Sequence, residues 1–199
     1  MHGLWKHTVV CLVVGAALGG CQGTGTLRLT NLPSGDSVTV APVVNATGRA
    51  LSLPPDNPLA ALRLELGLGD EKPVTVADVL LNRLVLAFQS HRYQVMRVDQ
   101  ARQVFSDRST EIAKVVEEAR TAGLKGLVVL ATLHRWDDSR WVDTRAVFVS
   151  MDVVVARISD GEILDARAVR NLAVPVGAAT TIVQATDDAA RLLAEKLFQ

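Results

Sequence analysis

The sequence predicts a mixed α/β fold: a single mixed sheet of about five strands with helices packed against it. Three observations lead there. Apolar residues recur at spacings of three and four in 75–92 and 180–198, the signature of one-sided helices. Between them lie β-branched runs that are continuous (124–133) or alternating (147–155), as strands require. The segments follow the order strand, helix, strand, two helices, three strands, helix, which suits one sheet covered by helices. The chain has 199 residues, 49% of them apolar, with 21 basic and 21 acidic side chains, enough for one domain. Zero net charge argues against a nucleic-acid binder, and the apolar content argues against disorder.

The elements follow in order. Residues 1–20, MHGLWKHTVVCLVVGAALGG, place Lys6 ahead of an apolar run and small residues, with no acid. This is the arrangement of a secretory signal. The run, at roughly 11 residues, is too short to span a bilayer, which needs about 20. Leu18-Gly19-Gly20-Cys21 resembles the bacterial lipobox, so 1–20 reads as a lipoprotein signal peptide. That resemblance implies that Cys21 is lipidated, with palmitate among its acyl groups, and becomes the first residue of the mature chain. Gln22, in place of the Asp that the sorting rule uses for inner-membrane retention, then implies the outer membrane, facing the periplasm. Losing the signal also removes Cys11 and leaves no cysteine but the anchor.

Residues 21–36 are rich in Gly, Thr, Ser and Asn and read as a lipidated tether, and 37–199 as a periplasmic α/β domain. The first strand is 37–44, with Pro42 marking an edge position or the strand's end. Residues 45–73, rich in proline and glycine, read as a long loop with a helical turn near 59–66. Thr75 and Asp78 signal the start of the 75–92 helix. A short strand, 93–98, follows; Asp99 caps a helix through Phe105, and Ser109 or Thr110 caps another over 111–122, closed by Gly123. The run 124–133 is a central strand. Residues 141–158 form a long strand with Val147, Val149, Met151, Val153 and Val155 on one face. Asp160-Gly161 turns the chain so that 163–172 returns antiparallel, Pro175 and Gly177 break it, and 180–198 is the terminal helix. Alternation of this kind also occurs in membrane β-barrels. Arg145, Asp152 and Arg157 near or within the run favour a sheet packed on helices.

The segments VAPVVNATG, SHRYQVMRVDQARQVF, AGLKGLVVLATL and VDTRAVFVSMDVVVARISDGEIL resemble a superfamily of bacterial envelope lipoproteins. It includes the curli-secretion lipoprotein CsgG, the TolB amino-terminal domain and LpoB, the activator of a peptidoglycan synthase. The chain is most similar to its uncharacterised outer-membrane lipoproteins of the vaccine-candidate type. The resemblance runs over 38–198, and 51–71 departs from it in being longer and richer in proline. It implies a TolB amino-terminal-domain-like fold and a non-catalytic adaptor or activator that binds and regulates, or helps assemble, another cell-envelope protein. The alternative is a subunit of an oligomeric export complex of the curli-secretion kind.

Chemistry-bearing patterns are sparse. The mature chain has two histidines, His91 and His134, and no HExxH, P-loop, GxSxG or GxGxxG pattern, so neither metal nor cofactor is expected. His91 sits at a helix end, where a cationic side chain suits the dipole. His134 with Asp137, Asp138 and Asp143 admits an acid-base set, but a solvated turn is the plainer reading. Trp136 and Trp141 flank Asp137-Asp138-Ser139-Arg140. Either the two indoles form an exposed contact surface for a partner or glycan, with Asp137 and Arg140 at its rim, or they cap the open end of the core. The expected partners are the membrane, through the lipid, and an envelope protein or a second copy; no small-molecule substrate is evident.

Overall fold

The computed structural model describes residues 28–29, 32–33, 35–55, 73–105 and 109–199. The expected signal peptide 1–20, Cys21, most of the tether 21–36 and the helical turn at 59–66 lie outside these residues.

Strands β1 (Ser37–Val40), β2 (Val44–Asn45), β3 (Gln94–Val95), β4 (Leu127–Asp137), β5 (Ala146–Arg157) and β6 (Ile163–Pro175) form one mixed sheet. Its order is β3-β1-β4-β5-β6, with β2 also on β4. β1 and β2 are the expected first strand, interrupted at Pro42; Ala41 and Ala46 still donate to β4 carbonyls, at Val129 and Leu133. β1 is an inner strand only at its start, because β3 pairs with Ser37 and Val38 alone. Pro42, which has no N–H to give, therefore falls where that flank carries no described strand.

The connection from β1 out to β3 is helix α1 (Val76–Ser90), and the return from β3 past β1 to β4 is α2 (Val98–Val104) and α3 (Ile112–Thr121). Two crossovers running in opposite directions, each right-handed as nearly all are, must lie on opposite faces of the sheet. The core divides accordingly. The larger cluster joins Val38, Val40, Leu127, Val129, Val147, Val149, Met151, Val153 and Val155 to Leu80, Leu84 and Phe88 of α1 and to Ala189 and Leu193 of α5 (Ile182–Lys196). The smaller one joins Val128, Leu130, Ala156 and Ile158 to Val115, Val116 and Ala119 of α3. The alternating β5 face is thus covered by helices.

Local signals explain most of the boundaries. Thr75 and Asp78 form a reciprocal capping box at the start of α1. Gly123, at φ 73°, ends α3 with Gly123 N–H on Arg120 O and Leu124 N–H on Ala119 O, the pattern of a Schellman motif. Gly126, at φ 83°, has to be glycine: a Cβ there would stand 2.2 Å from the Ser37 carbonyl oxygen. α1 and α5 are further joined by an ion pair between Arg83 and Asp187.

Three expectations need correction. The strand expected at 93–98 shrinks to Gln94–Val95, because after Met96 donates to Val38 O the chain turns into α2. Asp99 is inside α2 and Glu111 heads α3, so neither Asp99 nor Ser109 or Thr110 occupies the N-cap, and no side chain caps either helix. The strand expected from Trp141 starts only at Ala146, since 141–144 coil into the one-turn helix α4 (Trp141–Thr144).

Candidate functional site

The segment that carries the sequence-selected residues is the β4–β5 connection, and its shape begins one step earlier, in a bulge. Leu133 faces Met151 and Arg135 faces Ser150, so His134 is an extra residue in β4. One inserted residue reverses the facing of everything after it. Leu127, Val129, Ala131 and Leu133 point into the larger core; after the bulge Trp136, not Arg135, does so. Trp136 is only 3% exposed, and its indole N–H has no hydrogen-bond partner among the described residues.

Asp137 then stops the strand. Its carboxylate accepts from the Ser139 backbone N–H at 3.2 Å and hydroxyl at 2.7 Å, and from Arg135 at 2.7 Å. The Arg135 guanidinium first, then Ser139, pull its pKa down to about 2. The bent chain enters α4, where the Thr144 hydroxyl donates to Arg140 O at 2.9 Å and Arg145 takes a left-handed conformation at φ 50°. The Arg145 carbonyl accepts from Val176 N–H at 3.0 Å, and its guanidinium donates to Ala179 O at 3.2 Å, tying α4 to the β6–α5 connection. Between them is an open cavity of about 590 Å³, with Trp141, Val142 and Arg145 on one wall and residues 177–180 on the other.

The structure therefore separates the four selected residues. Trp136 belongs to the core, against the reading of two exposed indoles and in line with the core-capping alternative, except that its N–H does not reach water. Asp137 holds the turn. Arg140 is exposed and Trp141 is half-buried at the rim of the cavity. Val142, which sequence reasoning passed over, is 59% exposed beside Trp141. The signal was present: Trp141-Val142 is an apolar pair inside an otherwise polar DDSRWVDTR. A flat-to-concave patch with a large ring, an aliphatic neighbour and a guanidinium suits contact with another macromolecule.

The histidines go elsewhere. His134 Nε2 meets Asp152 Oδ2 at 2.8 Å on the opposite face of the sheet, away from Asp138 and Asp143. Burial pushes the Asp152 pKa up, but Arg170 and His134 more than offset it and leave it lowered. His91 Nδ1 bonds to Ala87 O at 2.9 Å and its ring stacks on Phe198 at 4.0 Å. Among the described residues no cluster of three or more His, Cys, Asp or Glu is placed to hold a metal, and no helix is long and apolar enough to cross a membrane. Cys21, the expected lipidation site, lies outside the described residues.

The fold and site define a mixed α/β domain with a small apolar patch, Trp141 and Val142, beside the β4–β5 connection. No protein-family model and no curated protein matches the chain. Solved structures with a similar fold include the PelC dodecamer from Paraburkholderia phytofirmans, at 15% identity over 86% of this chain and 95% of that one, TM-score 0.42. Lipoprotein GNA1162 from Neisseria meningitidis is 12% identical over 74% of this chain and 86% of that one, TM-score 0.44. The LpoB C-terminal domain from Salmonella enterica is 16% identical over 69% and 85%, TM-score 0.34.

Proposed function

We propose that this chain is an outer-membrane lipoprotein, anchored through Cys21 and facing the periplasm, whose domain binds another cell-envelope protein and adjusts its activity or assembly without catalysis of its own. The lipobox-like Leu18-Gly19-Gly20-Cys21 supports the anchor. The observation that supports the binding role is the half-buried Trp141 beside the exposed Val142 at the mouth of the cavity next to α4. A half-buried ring held by a rigid turn supplies contact area at little cost in chain entropy, and Arg140 adds a charged rim.

The test is co-purification from crosslinked envelopes with Trp141→Ala and Val142→Asp. Loss of the captured partner with unfolding unchanged is the expected result; undiminished capture by both variants sinks the contact surface. A second reading, a subunit of an oligomeric export complex, draws on β6, a 13-residue strand whose outer edge pairs with no other described strand. Arg167, Arg170, the kink at Asn171 (φ 51°) and Pro175 are features that discourage edge pairing, so the adaptor reading is preferred. Light scattering of the detergent-extracted protein distinguishes the two: a monomer at micromolar concentration counts against the complex.

A further inference from the structure

Arg28 and Leu29 dock at the end of the domain where α5 finishes, and exposed cations without ion-pair partners among the described residues collect at that end. Leu29 is buried and its N–H donates to Leu197 O at 2.6 Å, while Arg167 Nε donates to Arg28 O at 2.7 Å. Arg28 is thus pinned where α5 ends. The six residues 22–27 separate it from Cys21. Fully stretched they reach about 25 Å, and as a flexible coil about 15 Å. Lipidation at Cys21, on which this inference rests, therefore holds this end of the domain close to the bilayer.

The same end gathers four exposed cations. Lys196 closes α5; Arg92 follows His91, which stacks on Phe198; Lys125 accepts from the Ser37 hydroxyl at 2.8 Å through its carbonyl; Arg28 is the pinned residue itself. None of the four makes an ion pair among the described residues. The neighbouring acids are largely engaged: Asp160 and Glu162 with Arg157, Asp165 with Arg167, Glu195 with Arg191. Asp36 is the exception. An anionic lipid surface attracts such a set within a Debye length.

The α4 pole is at the opposite end. Arg145 and Ala179 sit before the first turn of α5, whose 15 residues at 1.5 Å each span about 22 Å before reaching Leu197. β6 spans the same axis in the opposite sense, about 26 Å from Arg167 beside Arg28 to Pro175 at the α4 pole.

We propose that the end bearing Arg28, Arg92, Lys125 and Lys196 docks on the phospholipid surface, so that the domain stands upright and presents Trp141 and Val142 away from the membrane. Membrane and partner then occupy opposite poles and do not compete.

The test uses the full acylated protein in vesicles of phosphatidylethanolamine and phosphatidylglycerol that contain a headgroup spin-labelled lipid. A fluorophore is placed on Gln199→Cys or on Asp143→Cys; with Cys21 acylated, each carries one free thiol. Quenching at 199 should exceed that at 143 severalfold. Equal quenching, or stronger quenching at 143, with acylation of Cys21 confirmed by mass, overturns the orientation and leaves the anchor standing. An unacylated Cys21 overturns both. The contrast should fall on adding Arg28→Glu, Arg92→Glu and Lys196→Glu together, and also, without any substitution, at about 1 M salt, where the Debye length is about 3 Å. A contrast indifferent to both overturns the role of the cations.

Discussion

Trp136 and Trp141 are five residues apart, and the bulge predicts that they behave in opposite ways. Trp136→Ala removes an indole that is 3% exposed and packed in the larger core. Truncations of this kind cost about 3 to 5 kcal/mol, the lost transfer energy plus that of the residual cavity. For a domain of this size each kcal/mol lowers Tm by about 2 to 4 °C, so the variant should melt about 6 to 20 °C below the parent. Trp136→Phe is a sharper probe. It keeps an apolar ring and deletes an N–H that is buried with no partner among the described residues, a group whose unpaired burial costs about 1 to 3 kcal/mol. Relief of that penalty offsets part of the smaller cavity, and Trp136→Phe should be much milder than Trp136→Ala. Trp141→Ala removes a ring only half-buried against the larger core and should cost less, about 1 to 2 kcal/mol. Urea and thermal unfolding of the three variants measure all of this. A Trp136→Ala protein that unfolds with the parent, or one less affected than Trp141→Ala, would refute the bulge as the device that sends Trp136 inward.

Other outcomes follow from the same geometry. Asp137 has a folded pKa of about 2, below its ordinary unfolded value, so its contribution to stability is present above about pH 4 and disappears as pH falls toward 2. Asp137→Asn should flatten that part of the stability-against-pH curve, as followed by urea midpoints; a curve identical to the parent's contradicts the assignment. Gly126→Ala meets both a left-handed φ and the Ser37 carbonyl, and should destabilise by about 2 kcal/mol or more in the same assay. Thr75→Ala breaks the capping box and should cost about 1 kcal/mol, measurable by the urea midpoint with an unchanged slope. Cys21→Ser should leave the signal uncleaved by the lipoprotein peptidase, which intact-mass measurement decides.

Much of the architecture was legible along the chain. The helix from Thr75 and the terminal helix declare themselves because an amphipathic stripe and a cap are local properties. The β5–β6 hairpin is equally plain, with five alternating apolar residues followed by Asp160-Gly161. Less legible were the limits of the short elements. β3 ends where the chain turns into α2 just after Met96 bonds to Val38, and α2 begins with Arg97 at a cap position that offers no side-chain bond. Neither limit is written in the residues themselves. Of the two indoles that flank the 137–140 segment, the fold buries Trp136 and leaves Trp141 half-buried beside the exposed Val142, a difference the residue spacing alone does not show.

The physical reason lies in how a strand assigns its faces. Alternation along β4 predicts Leu127, Val129, Ala131 and Leu133 inward, and the sequence alone determines that much, together with the helices, the hairpin turn and the lipobox-like cysteine. Continued without interruption, the same alternation would put Arg135 in the core and Trp136 in water. A bulge is a mismatch between two strands, set by the register that β5 imposes through Met151 and Ser150. Only the paired sheet could decide that Trp136 turns inward while Trp141 stays half-buried at the rim beside the exposed Val142.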